Sequence, residues 1–273
     1  MSDLTTRQLL IDLSQPPGRH WCANDAFLTA WFNALSMSFP LGEQFFIDSL
    51  LAAVKELPQA EQHELQPLIR GFVAQEATHR HVHKRFNDHL LAAGLSNGWE
   101  RRIVRRLRLV NKLAPKHRVA ITAAYEHFTA VLSAYLLRHP QQLAGTEERL
   151  QHLWLWHASE EVEHKSVAFD LFQHIDGRLA VRRRWMARVT LIFFLDAVLQ
   201  TLSNLRRDGS LYQLSTWRSA WRFLLGPSGV LRESYPLWKD YFRADFHPNQ
   251  HSEAGQDAWL QEHPQAYRAV RAS

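Results

Sequence analysis

Two segments of the sequence place a carboxylate three residues ahead of an imidazole: Glu76–Ala77–Thr78–His79 and Glu161–Val162–Glu163–His164. On a helix, residues three apart project roughly 60° from one another on one face. One helix can therefore offer both an oxygen and a nitrogen to the same cation. A single such motif carries little weight, because glutamate and histidine are common on exposed helices. Two of them, on separate long segments, carry more.

The face each acid occupies sharpens the choice. Glu76 shares its face with Ile69, Phe72 and Val73, and Glu161 with Trp154, Ala158, Ala168 and Phe169. Two further acids sit on apolar faces: Glu43, with Phe46, Ile47, Leu50, Leu51 and Val54, and Glu126, with Val119, Thr122, Ala123, Ala130 and Ala134. A carboxylate in such surroundings needs a partner, because burying an isolated charge is costly. Glu163 is set aside: Ser159, Glu160, Ser166 and Asp170 around it describe a solvated face, with Val167 the one apolar exception.

The order is then Glu43, Glu76-x-x-His79, Glu126, Glu161-x-x-His164. Gaps of 33 and 35 residues within the two halves suggest a pseudo-twofold bundle. One Glu from each of two helices plus Glu-x-x-His from two others resembles the di-iron carboxylate site of the ferritin-like superfamily. Four carboxylates would offset most of the charge of two divalent ions. Oxygen and nitrogen donors suit iron first, with manganese or zinc as alternatives. His83, seven residues after Glu76, and His157, four before Glu161, share these faces and join the candidate metal residues as ligands, outer partners or proton shuttles. Two bland readings compete: buried Glu–His pairs as ordinary core hydrogen bonds, or Arg80 and Lys165 as partners for the acids. No residue beyond the ligand set is assigned a catalytic role.

These residues need long helices to carry them. The expected fold class is all-α: a ferritin-like four-helix bundle core with additional N-terminal and C-terminal helices. Asn24 caps a helix over 25–37, Pro40 opens a second that ends at Pro58, and a long one runs over 61–93. A basic helix covers 99–113, another helix 117–138, and one unbroken helix starts after Thr146 and runs to about 175. An apolar helix follows over 181–205, then a short one over 214–225, with Gly226, Pro227 and Gly229 breaking the pattern. No strand alternation survives counting. Three regions result: a loose arm over 1–20, a single ferritin-like helical domain with C-terminal helices over 21–246, and a polar tail over 247–273 with a short helix near 254–261.

Composition agrees with this and sets limits. Eleven glycines in 273 residues argue against a loop-rich fold, while ten tryptophans and fifteen phenylalanines must be buried somewhere. The lone Cys22 excludes an internal disulfide framework and a thiolate cage, so the expected location is cytoplasmic. The apolar run over 189–199 is interrupted by Asp196 and reads as too short for a membrane span. The net charge of +5 concentrates in Arg101–Arg108 and Arg182–Arg184, which read first as solvated helix faces. Contact of these basic helices with a membrane surface and a homodimer stay open as partners. No specific nucleic-acid partner is expected.

The segments Phe39–Phe46, Gln75–His79 and Trp156–Asp170, with Phe246–His247–Pro248, resemble the bacterial family called predicted metal-dependent hydrolases, over about residues 20–250. The family's description implies hydrolysis by a metal-activated water. The spacing His157-x-x-x-Glu161-x-x-His164 is also similar to that of the arylamine N-oxygenases, which implies His157 as an added ligand and oxygen chemistry. Three functions follow. The leading expectation is a di-iron oxidoreductase, an oxygenase or oxidase acting on a small or hydrophobic substrate in a pocket near Phe45, Phe72, Phe128 and Trp154. The alternatives are a metal-dependent hydrolase using the same ligands, and a non-enzymatic metal- or membrane-associated helical protein.

Overall fold

The computed structural model describes residues 4–252 and 254–270, and it is all-α apart from one pair of short strands. Strand β1 (Thr6–Leu9) is followed by α1 (Ala26–Val54), α2 (Gln59–Ala92), α3 (Gly98–Val110), α4 (Pro115–Arg138), α5 (Glu148–Glu163) and α6 (Val167–Ile175). Then come α7 (Leu179–Asp208), α8 (Leu214–Leu225), α9 (Val230–Asp240), α10 (Ala254–Glu262) and β2 (Tyr267–Val270). The core is two helix pairs, α1 on α2 and α4 on α5, joined face to face through α1 and α4. Helix α7 lies across α1 and α4, and α10 packs against α5.

The first correction concerns Pro40. It opens no new helix: α1 runs through it from Ala26 to Val54. A proline removes the hydrogen bond to the carbonyl four residues back and normally breaks or kinks a helix. Here the carbonyl of Ser36 accepts instead from Asn87 Nδ2 at 2.8 Å, and the next one, of Met37, from Asn97 Nδ2 at 2.8 Å. Tertiary partners thus satisfy what the proline leaves open. The N-cap is Asp25, which accepts from the Leu28 N–H at 2.9 Å, not Asn24.

The second correction lies in the expected unbroken helix to 175. It breaks at His164–Ser166, where neither glycine nor proline marks the sequence, and resumes as α6. Helix α9 forms just beyond the Gly226–Gly229 break and was not expected.

The third concerns the termini. Within the arm expected to be loose, β1 pairs antiparallel with β2, from Thr6 opposite Val270 to Leu9 opposite Tyr267. β1 also lies along α2, and Gly71 makes the approach possible: a Cβ there would stand 2.7 Å from Leu4 Cβ. The tail contains α10, near the expected short helix, and then β2.

The arginine runs are not simply solvated faces. Arg102 and Arg106 of α3 both donate to Asp196 of α7, which is buried. Arg182 is buried, with its guanidinium 5.2 Å from the Phe169 ring and 5.4 Å from that of Tyr241. Helix α7 itself exceeds the expected apolar run and is long and apolar enough to cross a membrane by length and composition alone. One side of it packs on the bundle, while Leu191, Leu195 and Leu199 on the other are exposed.

Candidate metal centre

The four core helices bring Glu43 of α1, Glu76 and His79 of α2, Glu126 of α4, and His157 and Glu161 of α5 to one buried point, with His164 just past the end of α5. Three groups have ligand atoms within 4.8 Å of one another: Glu43, His79 and His157; Glu76, His79 and Glu161; and Glu76, Glu126 and His164. Glu161 is central. Its Oε1 lies 3.4 Å from His79 Nδ1, 3.2 Å from His157 Nε2 and 3.6 Å from His164 Nε2. His164 Nε2 lies 3.1 Å from Glu76 Oε1 and 3.2 Å from Glu126 Oε2.

Each of the three inward histidines is held from behind, and the holding bond fixes which nitrogen carries the proton. His79 donates from Nε2 to Glu160 Oε2 at 2.9 Å, so Nδ1 faces the cluster and offers it a lone pair once the ring loses its second proton. His164 donates from Nδ1 to Gln75 Oε1 at 3.0 Å. The orientation of the Gln75 amide is fixed because its nitrogen donates to Glu163 Oε2 and to the Thr5 carbonyl. His164 therefore turns its Nε2 lone pair inward.

His157 is oriented by a longer chain. The Ser36 hydroxyl donates to Asn87 Oδ1 at 2.7 Å, so it can only accept from His83 Nδ1, 2.8 Å away. His83 Nε2 then accepts from His157 Nδ1 at 2.9 Å, which leaves the His157 Nε2 lone pair aimed at Glu161. Burial holds both rings neutral: it pushes His157 down to about 4 and His83 well below the usual histidine range. Both His83 nitrogens are used in this chain, so His83 stands behind His157 and does not face the cluster. Asn87 is itself tied to the carbonyl that Pro40 frees, so the continuity of α1 through the proline and the aim of His157 share one residue.

The inner atoms lack partners. Both oxygens of Glu43, Glu76 and Glu126, together with His79 Nδ1 and His164 Nε2, are buried without a hydrogen bond. Buried polar groups are almost always paired, and lone pairs facing one another repel unless a proton or metal ion lies between them. The titration of the metal-free site says the same. Burial pushes Glu43 and Glu76 well above the usual carboxylate range and Glu126 up to about 7. Burial opposes protonation of His79, yet Glu160 and Glu161 hold it up to about 10. Protons occupy the place of a cation, and the oxygen and nitrogen donors fit a divalent metal.

The alternative partners weighed for these acids lie elsewhere. Lys165 donates to the His251 carbonyl at 2.9 Å, and Arg80 is half-buried on the outer side of α2. The face assigned to Glu163 needs correction. Ser159 and Glu160 are fully buried, and Glu163 binds Arg7 of β1 at 2.7 Å. α5 is covered on that side by β1 and on another by α10, so no face of its central turns meets water.

Sequence reasoning thus missed Glu160, Gln75, Ser36, Asn87 and Arg7. The adjacent pairs Glu160–Glu161 and Gln75–Glu76 were the one available signal.

The expected aromatic pocket is divided. Phe45, with Phe39, Phe46 and Trp99, lines a cavity of about 120 Å³ that ends on Glu43. Trp154 lines a second, smaller one that ends on His157. Phe72 is instead packed solid beneath His164, with ring centres 4.9 Å apart, and Phe128 borders a third cavity between α4, α7 and α9.

Residues 5–252 match the family described as predicted metal-dependent hydrolases. The chain belongs to that family. No curated protein and no solved structure matches it. Membership in the family and a buried set of glutamates and histidines that could hold metal ions agree on a metal-dependent protein. Of the activities expected, hydrolysis is the one the family description supports; nothing in the comparisons supports an oxygenase.

Proposed function

We propose that the chain is a hydrolase working through a two-metal centre. One ion would be held by Glu43, His79 and His157, the other by Glu76, Glu126 and His164, with Glu161 between them. The observation that carries this is the set of buried carboxylate oxygens and imidazole nitrogens that converge without partners. When bound, two divalent ions supply an activated water and polarise the oxygen of the bond to be cleaved.

The chain's own residues do the rest. Glu160, Gln75 and His83 keep the three imidazoles in the tautomer that offers a lone pair inward. Glu43 is the carboxylate of the proposed ligand set that borders the larger cavity, so a substrate entering there would reach the metal site at this residue. Phe39, Phe45 and Phe46 keep bulk water from that carboxylate.

Di-iron oxygen chemistry would use the same ligands. The ordered Glu and Glu-x-x-His repeat in a helical bundle favours it, and the family description favours hydrolysis. Metal analysis of the purified protein, followed by chelation, reloading and an acyl-ester hydrolysis assay, tests the proposal. The expected result is about two ions per chain, by the ligand grouping above, with hydrolysis lost on chelation and restored by zinc or manganese. Hydrolysis that survives full metal removal would overturn it. A near-ultraviolet oxo-to-iron band in the iron-loaded protein after exposure to air, with no hydrolysis, would establish the oxidative reading instead.

A further inference from the structure

The cavity that ends on Glu43 has two chemically different ends. Glu43, its inner limit, is 2% exposed, while Arg188 on α7 borders it from the solvent side. Between them the walls are apolar: Phe39, Phe45 and Phe46 of α1, Ile103 and Leu107 of α3, and Ile192 of α7. The mouth therefore opens between α3 and α7. Two arginines stand there, and they differ. Arg106 is held by Asp196, an acid it shares with Arg102. Arg188 has no acid partner among the described residues, and its guanidinium lies 5.1 Å from the Trp185 ring centre. Stacking on an indole orients an arginine while leaving its N–H groups free for an anion.

The surface around the mouth continues the same pattern. One turn beyond Arg188, Leu191 is 72% exposed, and Leu195 follows a turn later. Exposed leucines beside an unpaired arginine suit a molecule that is apolar along its length and anionic at one end. They do not suit a sugar or a nucleotide, because the apolar walls offer few polar partners between the mouth and Glu43.

We propose that this cavity binds a single-chain anionic amphiphile, of the short-chain aliphatic carboxylate class that a cavity of about 120 Å³ can hold, with its head on Arg188 and its chain directed toward Glu43. This places the group to be transformed on the chain, away from the anionic head. The inference rests on the metal-centre reading for what happens at the inner end, but the binding itself does not.

Titration calorimetry on the metal-loaded protein tests it, with hexanoate as the probe and hexanol as the neutral control. Native protein should bind hexanoate more tightly than hexanol. Arg188→Gln should weaken hexanoate binding about tenfold, the scale of one charge-assisted contact, and leave hexanol unchanged. Ile192→Trp, which fills the cavity, should abolish binding of both while the metal content stays native. Equal binding of hexanoate by native and Arg188→Gln protein would overturn the proposal, as would undiminished binding by Ile192→Trp. Binding that follows the expected pattern in a protein that takes up no metal would uphold this site and sink the hydrolase reading. Full metal content with no binding would do the reverse.

Discussion

Asp196 and Glu43 are buried to nearly the same degree, 1% and 2% exposed, on helices that touch. Asp196 is met by two arginines from α3. Glu43 is met by no donor at all, and Glu76 and Glu126 meet only the Nε2 atom of His164, at 3.1 and 3.2 Å. The same bundle therefore treats a buried carboxylate in two ways. Where charge serves architecture, the chain supplies the counter-ion itself. Around Glu161 it supplies only acceptors and lone pairs, so the counter-ions must come from outside. A protein built only to be stable would not leave so many acceptors unpaired, since each costs roughly 1–3 kcal/mol or more.

The comparison breaks most readily at the centre. Glu161→Ala should remove at least one ion and weaken metal binding well beyond the roughly 10–100-fold that loss of an outer partner causes. Competitive chelator titration measures this, and native affinity in the variant would refute the assignment.

Acid should act next. Metal-free Glu126 holds its proton up to about pH 7 and His79 up to about pH 10, and both must release it to bind a cation. Lowering the pH from 7 to 5 should thus weaken metal binding about tenfold per unit for each displaced proton. Raising it above 7 should strengthen binding further, because His79 is still protonated there. A flat profile between pH 5 and 8 would mean that protons do not occupy the cation's place.

Asp196→Asn should behave oppositely. Stability should fall by about 2–3 kcal/mol in urea unfolding, less than for a fully buried pair because the two arginines are partly in water. Metal content should not change.

The smallest effect sharpens the distinction inside the centre. His83→Asn removes the acceptor behind His157 without removing an inward-facing atom. It should weaken metal binding by about tenfold and leave the number of ions the same. Loss of an ion would make His83 a ligand after all.

The helices whose acids and imidazoles converge were legible because each candidate acid interrupts an otherwise apolar face, and because Glu-x-x-His occurs twice in register with a lone Glu. The all-α class followed from the same periodicity. Glu160 was not legible: reading α5 as half-solvated presumes that a helix has a wet side, and here β1 and α10 cover it. The strands escaped notice because each is four residues long and finds its partner at the far end of the chain. Pro40 misled because the groups that rescue the helix, Asn87 and Asn97, lie on other segments. The division of the aromatic pocket depends on α7 crossing the bundle, which no local pattern encodes.

The strand pair has a consequence for the order of synthesis. Arg7 holds Glu160, which holds His79, and Arg7 is itself covered by the Tyr267 ring at 5.7 Å. The pairing that brings Tyr267 there joins positions as much as 264 residues apart, Thr6 opposite Val270. The outermost support of His79 is therefore complete only once the segment around Tyr267 has been made and has paired with β1.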